Sequence, residues 1–323
     1  MSEHRAAAVA DDVIDRAIAP GYSSLGFALR RRFWPDGDPA PNALAGATTI
    51  VTGANSGIGK ATAASLAQLG ARVIIAVRNE ERGEAARQEI LADQPEAELI
   101  VQRCDVSDLD DVRTFVARIA GLTPKIDAII HNAGVMPPER SQNRDGHELT
   151  LATHVLGPIL MTELAQPLLA ASNDPRIVFM SSGGMYTQPL PWDDPEYRLG
   201  QYRAATAYAR TKRIQVALTP ILAERWAPDG CMVATMHPGW ADTPGLAESL
   251  PRFRAMTRVF LRNADQAADT AVWLTATSPT PPSGLFWHDR RSRPTHYRAA
   301  TRYTDAQLNE VWNYCASAIG ITP

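Results

Sequence analysis

From Gly46 to about Asp289 the chain alternates short apolar, β-branched runs with longer stretches of helical periodicity, and this restricts the fold more than anything else in it. The runs are ATTIVT (47–52), RVIIAV (72–77), ELIVQRC (98–104), IDAIIH (126–131), RIVFMSS (176–182), CMVATMH (231–237) and GLFWHD (284–289). Nearly continuous apolar strands are those covered on both faces, as in a parallel sheet between helices. Between them, helical patterns run to Gly70, to about Ala92, over 108–120, 148–172, 204–226 and 264–277. A last helix starts at Thr304, where T-D-A-Q fits a capping box. The pattern predicts an α/β fold: a doubly wound parallel sheet with helices on both faces, in a single domain over 46–323.

Residues 1–45 read differently. DDVIDRAIA has helical spacing, GYSSLGFALRRRFW mixes apolar, aromatic and basic residues, and PDGDPAPNALAG is turn-rich. This is an N-terminal extension, packed on the domain or on a second subunit, or lying on a membrane surface. A hydrophobic content of 45% with a net charge of -3 indicates a globular chain rather than a disordered or generally nucleic-acid-binding one. The basic RRSR stretch, with Arg298 and Arg302, reads as a solvated rim. Cys104, Cys231 and Cys315 form no metal-ligand spacing and suit a reducing compartment. Without a signal-peptide core or a long apolar run, a cytoplasmic protein is expected.

TGANSGIG (52–59) lies between the first strand and its helix. Glycines there let the backbone turn sharply and approach a pyrophosphate, which the free N–H groups of the helix N-terminus would bind. Gly53, Asn55, Ser56, Gly57, Ile58 and Gly59 are therefore candidate nucleotide contacts on a Rossmann-type sheet. The second strand ends at Val77-Arg78-Asn79, where a carboxylate would select NAD(H). Arg78 can pair with a 2′-phosphate instead, which favours NADP(H) over NAD(H).

YARTK (208–212) places one of the chain's three lysines (Lys60, Lys125, Lys212) four residues after a tyrosine. On a helix the two share a face, so the ammonium of Lys212 can favour the phenolate of Tyr208. With the T-G-x-x-x-G-x-G turn, HNAG (131–134) and Ser181/Ser182 ahead of it, this order resembles the short-chain dehydrogenase/reductase superfamily over about 46–290. The stretches SSGGM, HPGWADTPG, TKRIQVALT and DGHELTLATHVLG, and GYSS in the extension, narrow the resemblance to one branch.

The resemblance implies roles. Tyr208 would exchange a proton with the substrate oxygen, Lys212 would lower its pKa and hold the nicotinamide ribose, and Ser182, with Ser181 the competitor, would hold that oxygen. Asp105 and Val106 would meet the adenine, and Asn132, Ala133 and Gly134 would lie beside its ribose. Pro238 and Gly239 would turn the chain against the cofactor, and Thr243 would bind the carboxamide or a phosphate. No metal is implied. The family's usual asparagine of the fourth helix is replaced by His154: a relay replacement, a relay with altered pH dependence, or a mark of impaired catalysis. His131 reads as structural. The insertion MYTQPLPWDDPEYRLGQYR forms a substrate wall or a surface loop. Residues 241 to about 262, with Leu246, Leu250, Phe253, Met256 and Phe260, resemble a mobile lid over a lipophilic alcohol or carbonyl substrate. The expectation is an NADP(H)-dependent alcohol/carbonyl oxidoreductase, with a homo-oligomer and membrane contact through 1–45 left open. The alternative is a non-catalytic dinucleotide-binding regulatory or scaffolding protein on the same fold.

Overall fold

The computed structural model describes residues 11, 14–16, 19–242, 255 and 257–323. Strand β1 (Thr48–Thr52) is buried along its whole length. It pairs in parallel with β2 (Arg72–Val77) on one side and β4 (Ala128–His131) on the other. Outside β2 lies β3 (Leu99–Arg103); beyond β4 follow β5 (Arg176–Met180), β6 (Met232–Met236) and β7 (Leu285–His288), all parallel. A two-residue strand, β8 (Arg291–Ser292), pairs antiparallel with β7, and the sheet order is β3-β2-β1-β4-β5-β6-β7-β8. The expected doubly wound sheet is thus present, with one short edge strand that the sequence pattern did not signal. Two residues are too few for a periodicity to register.

Successive residues of each strand serve opposite faces. Ile50, Ile74, Ile129, Ile177 and Val233 pack with α4 (Leu109–Leu122), α5 (149–169), α6 (Ala204–Arg225) and α8 (Asp305–Ile319). Their neighbours Val51, Val73, Ile75, Ile130 and Val178 pack on the other face with α2 (Gly57–Gln68) and α7 (Ala264–Ala276), while α3 (Glu80–Asp93) contributes Ile90. Alanines at 63, 67, 268 and 271 keep α2 and α7 close. Because β2 and β3 step outward from β1 and the chain then returns to β4, the sheet has its switch point between the carboxyl ends of β1 and β4. Ligands of open α/β sheets bind in that crevice.

The extension is anchored on the same carboxyl edge of the sheet, away from the switch point. A helical turn (Ala19–Tyr22) and α1 (Ser24–Arg31) pack on the carboxyl ends of β6 and β7. The Tyr22 carbonyl accepts from the Trp240 amide at 2.8 Å. Arg30, buried, reaches Asp11 at 2.5 Å, Asp15 at 3.3 Å and Asp289 at 2.7 Å. Arg262 holds both oxygens of Asp289 and donates to the carbonyls of Gly21 and Ser23. Buried charges are tolerable only when paired in this way.

Candidate active site

At the end of β1 the chain turns at Gly53 with φ +66 and enters α2 at Gly57 with φ +53, backbone that glycine adopts without strain. The close approach is as demanding as the angle. A Cβ on Gly59 would stand 2.4 Å from Asn132 Nδ2 and 2.5 Å from the Gly53 carbonyl. Asn132 itself donates to the Thr52 carbonyl at 2.9 Å, and the Thr52 hydroxyl oxygen accepts from the amides of Asn132 and Ala133. The glycine turn and the loop after β4 are thereby fixed to one another. Ser56 is exposed and its side chain does not cap α2, so the first-turn N–H groups of α2 keep no side-chain partner from it. A turn built this way fits a pyrophosphate.

The other residues expected at the nucleotide fall along the same edge. Arg78 follows β2, exposed, with no hydrogen bond or ion pair among the described residues. The Asp105 carboxylate accepts from the amide and hydroxyl of Ser107, which shapes the loop after β3. Val106 is buried, its carbonyl so close to Gly157 that a Cβ there would stand 1.9 Å away. Asn55 and Ile58 are partly buried and Gly134 is exposed. Pro238 and Gly239 follow β6; Gly239 has φ +80 and lies against the Arg262 guanidinium, where a Cβ would meet Nε at 2.4 Å. Thr243, Leu246, Leu250, Phe253 and Met256 lie outside the described residues, and Phe260 is 55% exposed.

Across the crevice, α6 brings Tyr208 and Lys212 onto one face. Tyr208 is partly buried, and the Ser182 side chain lies close enough to favour its phenolate. The Lys212 Nζ lies 5.4 Å from the centre of its ring and donates to the Met180 carbonyl, at the end of β5, at 2.6 Å. The two serines are distinguished by their partners. The buried Ser181 hydroxyl donates to the Lys212 carbonyl at 3.1 Å, while Ser182 N-caps a short turn (Gly183–Thr187), accepting from Gly184 N, and faces the tyrosine. Burial pulls the Lys212 pKa down to about 7. It also pushes the Tyr208 pKa up, partly offset by Ser182. The downward shift expected from the adjacent ammonium is therefore not found in the protein alone, because desolvation penalises both charged forms.

His154 completes the cluster. It is fully buried in a π-helical turn (Ala152–Leu156) within α5, between Leu149–Leu151 and Gly157–Leu169. Such single turns are frequent at functional sites. Its Nε2 accepts from the Val135 amide at 3.0 Å, which puts the ring proton on Nδ1, 2.8 Å from the Thr211 hydroxyl; that hydroxyl donates to the Tyr208 carbonyl at 2.9 Å. Burial, followed by the charge of Lys212, holds its pKa well below the usual histidine value. The imidazole is thus a neutral bracket between the loop after β4 and α6, not a group poised to change charge. His131 is buried as well, its Nε2 2.8 Å from the Thr162 hydroxyl.

Several residues of this arrangement carried no sequence signal. Thr211 reads only as a spacer in YARTK, and Val135 takes part through its amide. Gln215 donates to the His154 carbonyl at 2.7 Å. Tyr22, from the extension, packs on Gly183 beside Ser182, where a Cβ would meet its Cε2 at 2.7 Å. Only the folded chain brings residues 22 and 183 together.

The sheet and its crevice define an α/β protein of the nucleotide-binding kind, with a serine, a tyrosine and a lysine gathered opposite a glycine-rich turn. The model of the short chain dehydrogenase family matches residues 47–252, and the chain belongs to that family of oxidoreductases. It is 39% identical over 256 residues to "Dehydrogenase/reductase SDR family member 12" of Bos taurus, covering 78% of this chain and 79% of that one. It is 32% identical over 295 residues to "Retinol dehydrogenase 12" of Homo sapiens, covering 90% and 92%. Among solved structures it resembles an uncharacterised protein from Mycobacterium Paratuberculosis, with a TM-score of 0.67 and 26% identity, covering 86% of this chain and 95% of that one.

Proposed function

We propose that the protein interconverts an alcohol and a carbonyl on an apolar small molecule with NADP(H) as the redox partner. One observation carries the reading: the Ser182 side chain lies beside the Tyr208 hydroxyl, with the Lys212 ammonium close behind the tyrosine ring, across the crevice from the turn at Gly53–Gly59. The nicotinamide supplies or accepts the hydride when bound. In the reducing direction the Ser182 hydroxyl donates to the carbonyl oxygen and orients it. Tyr208 transfers its proton to that oxygen as the hydride reaches the carbon, leaving an alcohol and a tyrosinate. Lys212, beside the ring, stabilises the tyrosinate until a proton returns, and would hold the ribose hydroxyls. Asn132, Ala133, Gly134, Asp105 and Val106 would frame the adenosine half. Pro238, Gly239 and Thr243 would flank the nicotinamide.

Arg78 supports NADP(H): an exposed, unengaged guanidinium at the end of β2 suits a 2′-phosphate dianion. An apolar substrate is supported by relatives named as retinol dehydrogenases. The reading is tested by absorbance of NADPH with a panel of aldehydes and ketones. Turnover that disappears in Tyr208→Phe, while that variant still binds NADPH, is the expected result. Tight NADPH binding by the wild type with no turnover of any carbonyl would overturn it.

A further inference from the structure

We infer that the outward face of α1 is a lipid-docking surface, fitted to a membrane carrying anionic headgroups. Leu25 is 57% exposed, Leu29 39% and Phe33 75%, at i, i+4 and i+8. They form one apolar stripe running a turn past the helix end. The opposite face is not free to roll over and bury them. Gly26, Phe27 and Arg30 are buried beneath it, and Arg30 is tied to Asp11, Asp15 and Asp289. A helix pinned by a buried ion cluster therefore holds its large apolar side chains in solvent, an arrangement that marks an interaction surface.

The chain holds a second exposed apolar pair. Val259 is 87% exposed and Phe260 55%, in a short turn (Arg258–Phe260). Two residues on, Arg262 stacks its guanidinium 5.3 Å from the Phe27 ring centre and donates to the Ser23 carbonyl at the N-terminus of α1. Arg31 and Arg32, next to Phe33 in the chain, and Arg258, next to Val259, are exposed, with Asp36 the nearby acid in sequence and Asp269 within reach of Arg31. The chain as a whole carries -3, so this positive charge is local. Exposed apolar anchors with arginines next to them in the chain match the boundary between acyl chains and anionic headgroups. A second copy of this chain is the poorer occupant, because a two-fold contact through this face would set arginine against arginine. The Asp242 amide donates to the Arg262 carbonyl at 2.9 Å, so the docked face adjoins the chain leading from the crevice. The inference stands apart from the redox reading, since docking needs neither substrate nor nucleotide.

Co-sedimentation of the full chain with phosphatidylcholine vesicles, with and without phosphatidylserine, tests it. The wild type binds the phosphatidylserine vesicles more strongly. Leu25→Ser/Leu29→Ser/Phe33→Ser and Arg31→Glu/Arg32→Glu each weaken binding by about tenfold or more. Leu199→Ser, at a 67% exposed leucine in the insertion, leaves binding unchanged. Equal urea midpoints confirm that the variants fold. Failure of the wild type to bind either vesicle overturns the inference, as does binding unaffected by the triple substitution. A dimer in sedimentation equilibrium that the triple substitution dissociates, without vesicle binding, assigns the face to a second copy instead. Vesicle binding gained only on removal of residues 1–10 assigns it to the chain's own N-terminus.

Discussion

The rings of His154 and Tyr208 meet edge to face, their centres 5.2 Å apart, and the imidazole is joined to the backbone of the same tyrosine through the Thr211 hydroxyl. Both imidazole nitrogens are engaged and burial keeps the ring neutral. His154→Ala therefore lowers kcat by about 10- to 100-fold by loosening Tyr208 and the loop at Val135, an effect of misplacement. The pH profile distinguishes this from a titrating relay. A neutral bracket predicts that no ionisation near pH 6.5 vanishes with the histidine, and that Thr211→Val reproduces part of the loss. A limb near pH 6.5 present in the wild type and absent from His154→Ala would contradict it.

Ser181 and Ser182 are adjacent in the chain and opposite in consequence. Ser182→Ala removes the hydroxyl that lies beside Tyr208, and kcat falls by about 100-fold or more with the urea midpoint nearly unchanged. Ser181→Ala leaves the buried Lys212 carbonyl without this donor, so stability falls by about 1 kcal/mol while kcat changes only a few-fold. Comparing kcat with the urea midpoint for both variants checks the assignment.

Continuous apolar, β-branched runs and the 3.6-residue periodicity carried the sheet and the helices, because burial on both faces of a strand and on one face of a helix leaves a pattern in the chain. Thr304 as the N-cap of α8 was equally legible, since its capping box is local. A matching box at Asn263 and Gln266 starts α7 and is equally local. What the sequence did not disclose depends on contacts between distant residues. The bracket at His154 needs Val135 and Thr211, and the clamp at Asp289 needs Arg30 and Arg262. The direction of the Tyr208 shift is equally hidden, because spacing reveals a neighbouring charge but not how far both groups lie from water.

Arg78 should decide between the two nucleotides. A charge-assisted pair with a 2′-phosphate is lost in Arg78→Ala, so Kd for NADPH rises by about 10- to 100-fold. NADH has no such phosphate, and its Kd should move less than about threefold. Fluorescence titration of both nucleotides against both proteins measures this. Equal losses for the two would remove Arg78 from the phosphate site.

Lys212 gives the protein alone a pH dependence of defined sign. Its folded pKa, about 7, lies below that of an unfolded lysine, near 10.4, so between these values the unfolded chain binds more protons. Stability contributed through this residue therefore rises with pH from about 7, by up to about 1.4 kcal/mol per pH unit. Urea midpoints from pH 7 to 9 should show a component that Lys212→Met removes. An unchanged slope in the variant would mean that the ammonium is better solvated than its burial indicates.

Asp289 anchors the extension, and acid should release it. Its pKa is held far below the ordinary carboxylate value: burial opposes this, and neighbouring His288, Arg262 and Arg30 outweigh it. Asp11, paired with Arg293 and Arg30 against the same opposition from burial, is lowered to about 2. Folded values below the unfolded one mean that these carboxylates stabilise the protein above about pH 4. That contribution is lost as pH falls toward 2. Removing the charge reproduces the acid effect at neutral pH. Asp289→Asn keeps a residue tolerant of the φ of +49 found there but leaves Arg30 and Arg262 buried without their shared carboxylate, at a cost of about 3–5 kcal/mol. Because Tyr22 packs on Gly183 next to Ser182, loosening the extension should also lower kcat. Urea midpoint and turnover measured together on Asp289→Asn check both. Loss of stability with turnover intact would separate the extension from the catalytic residues.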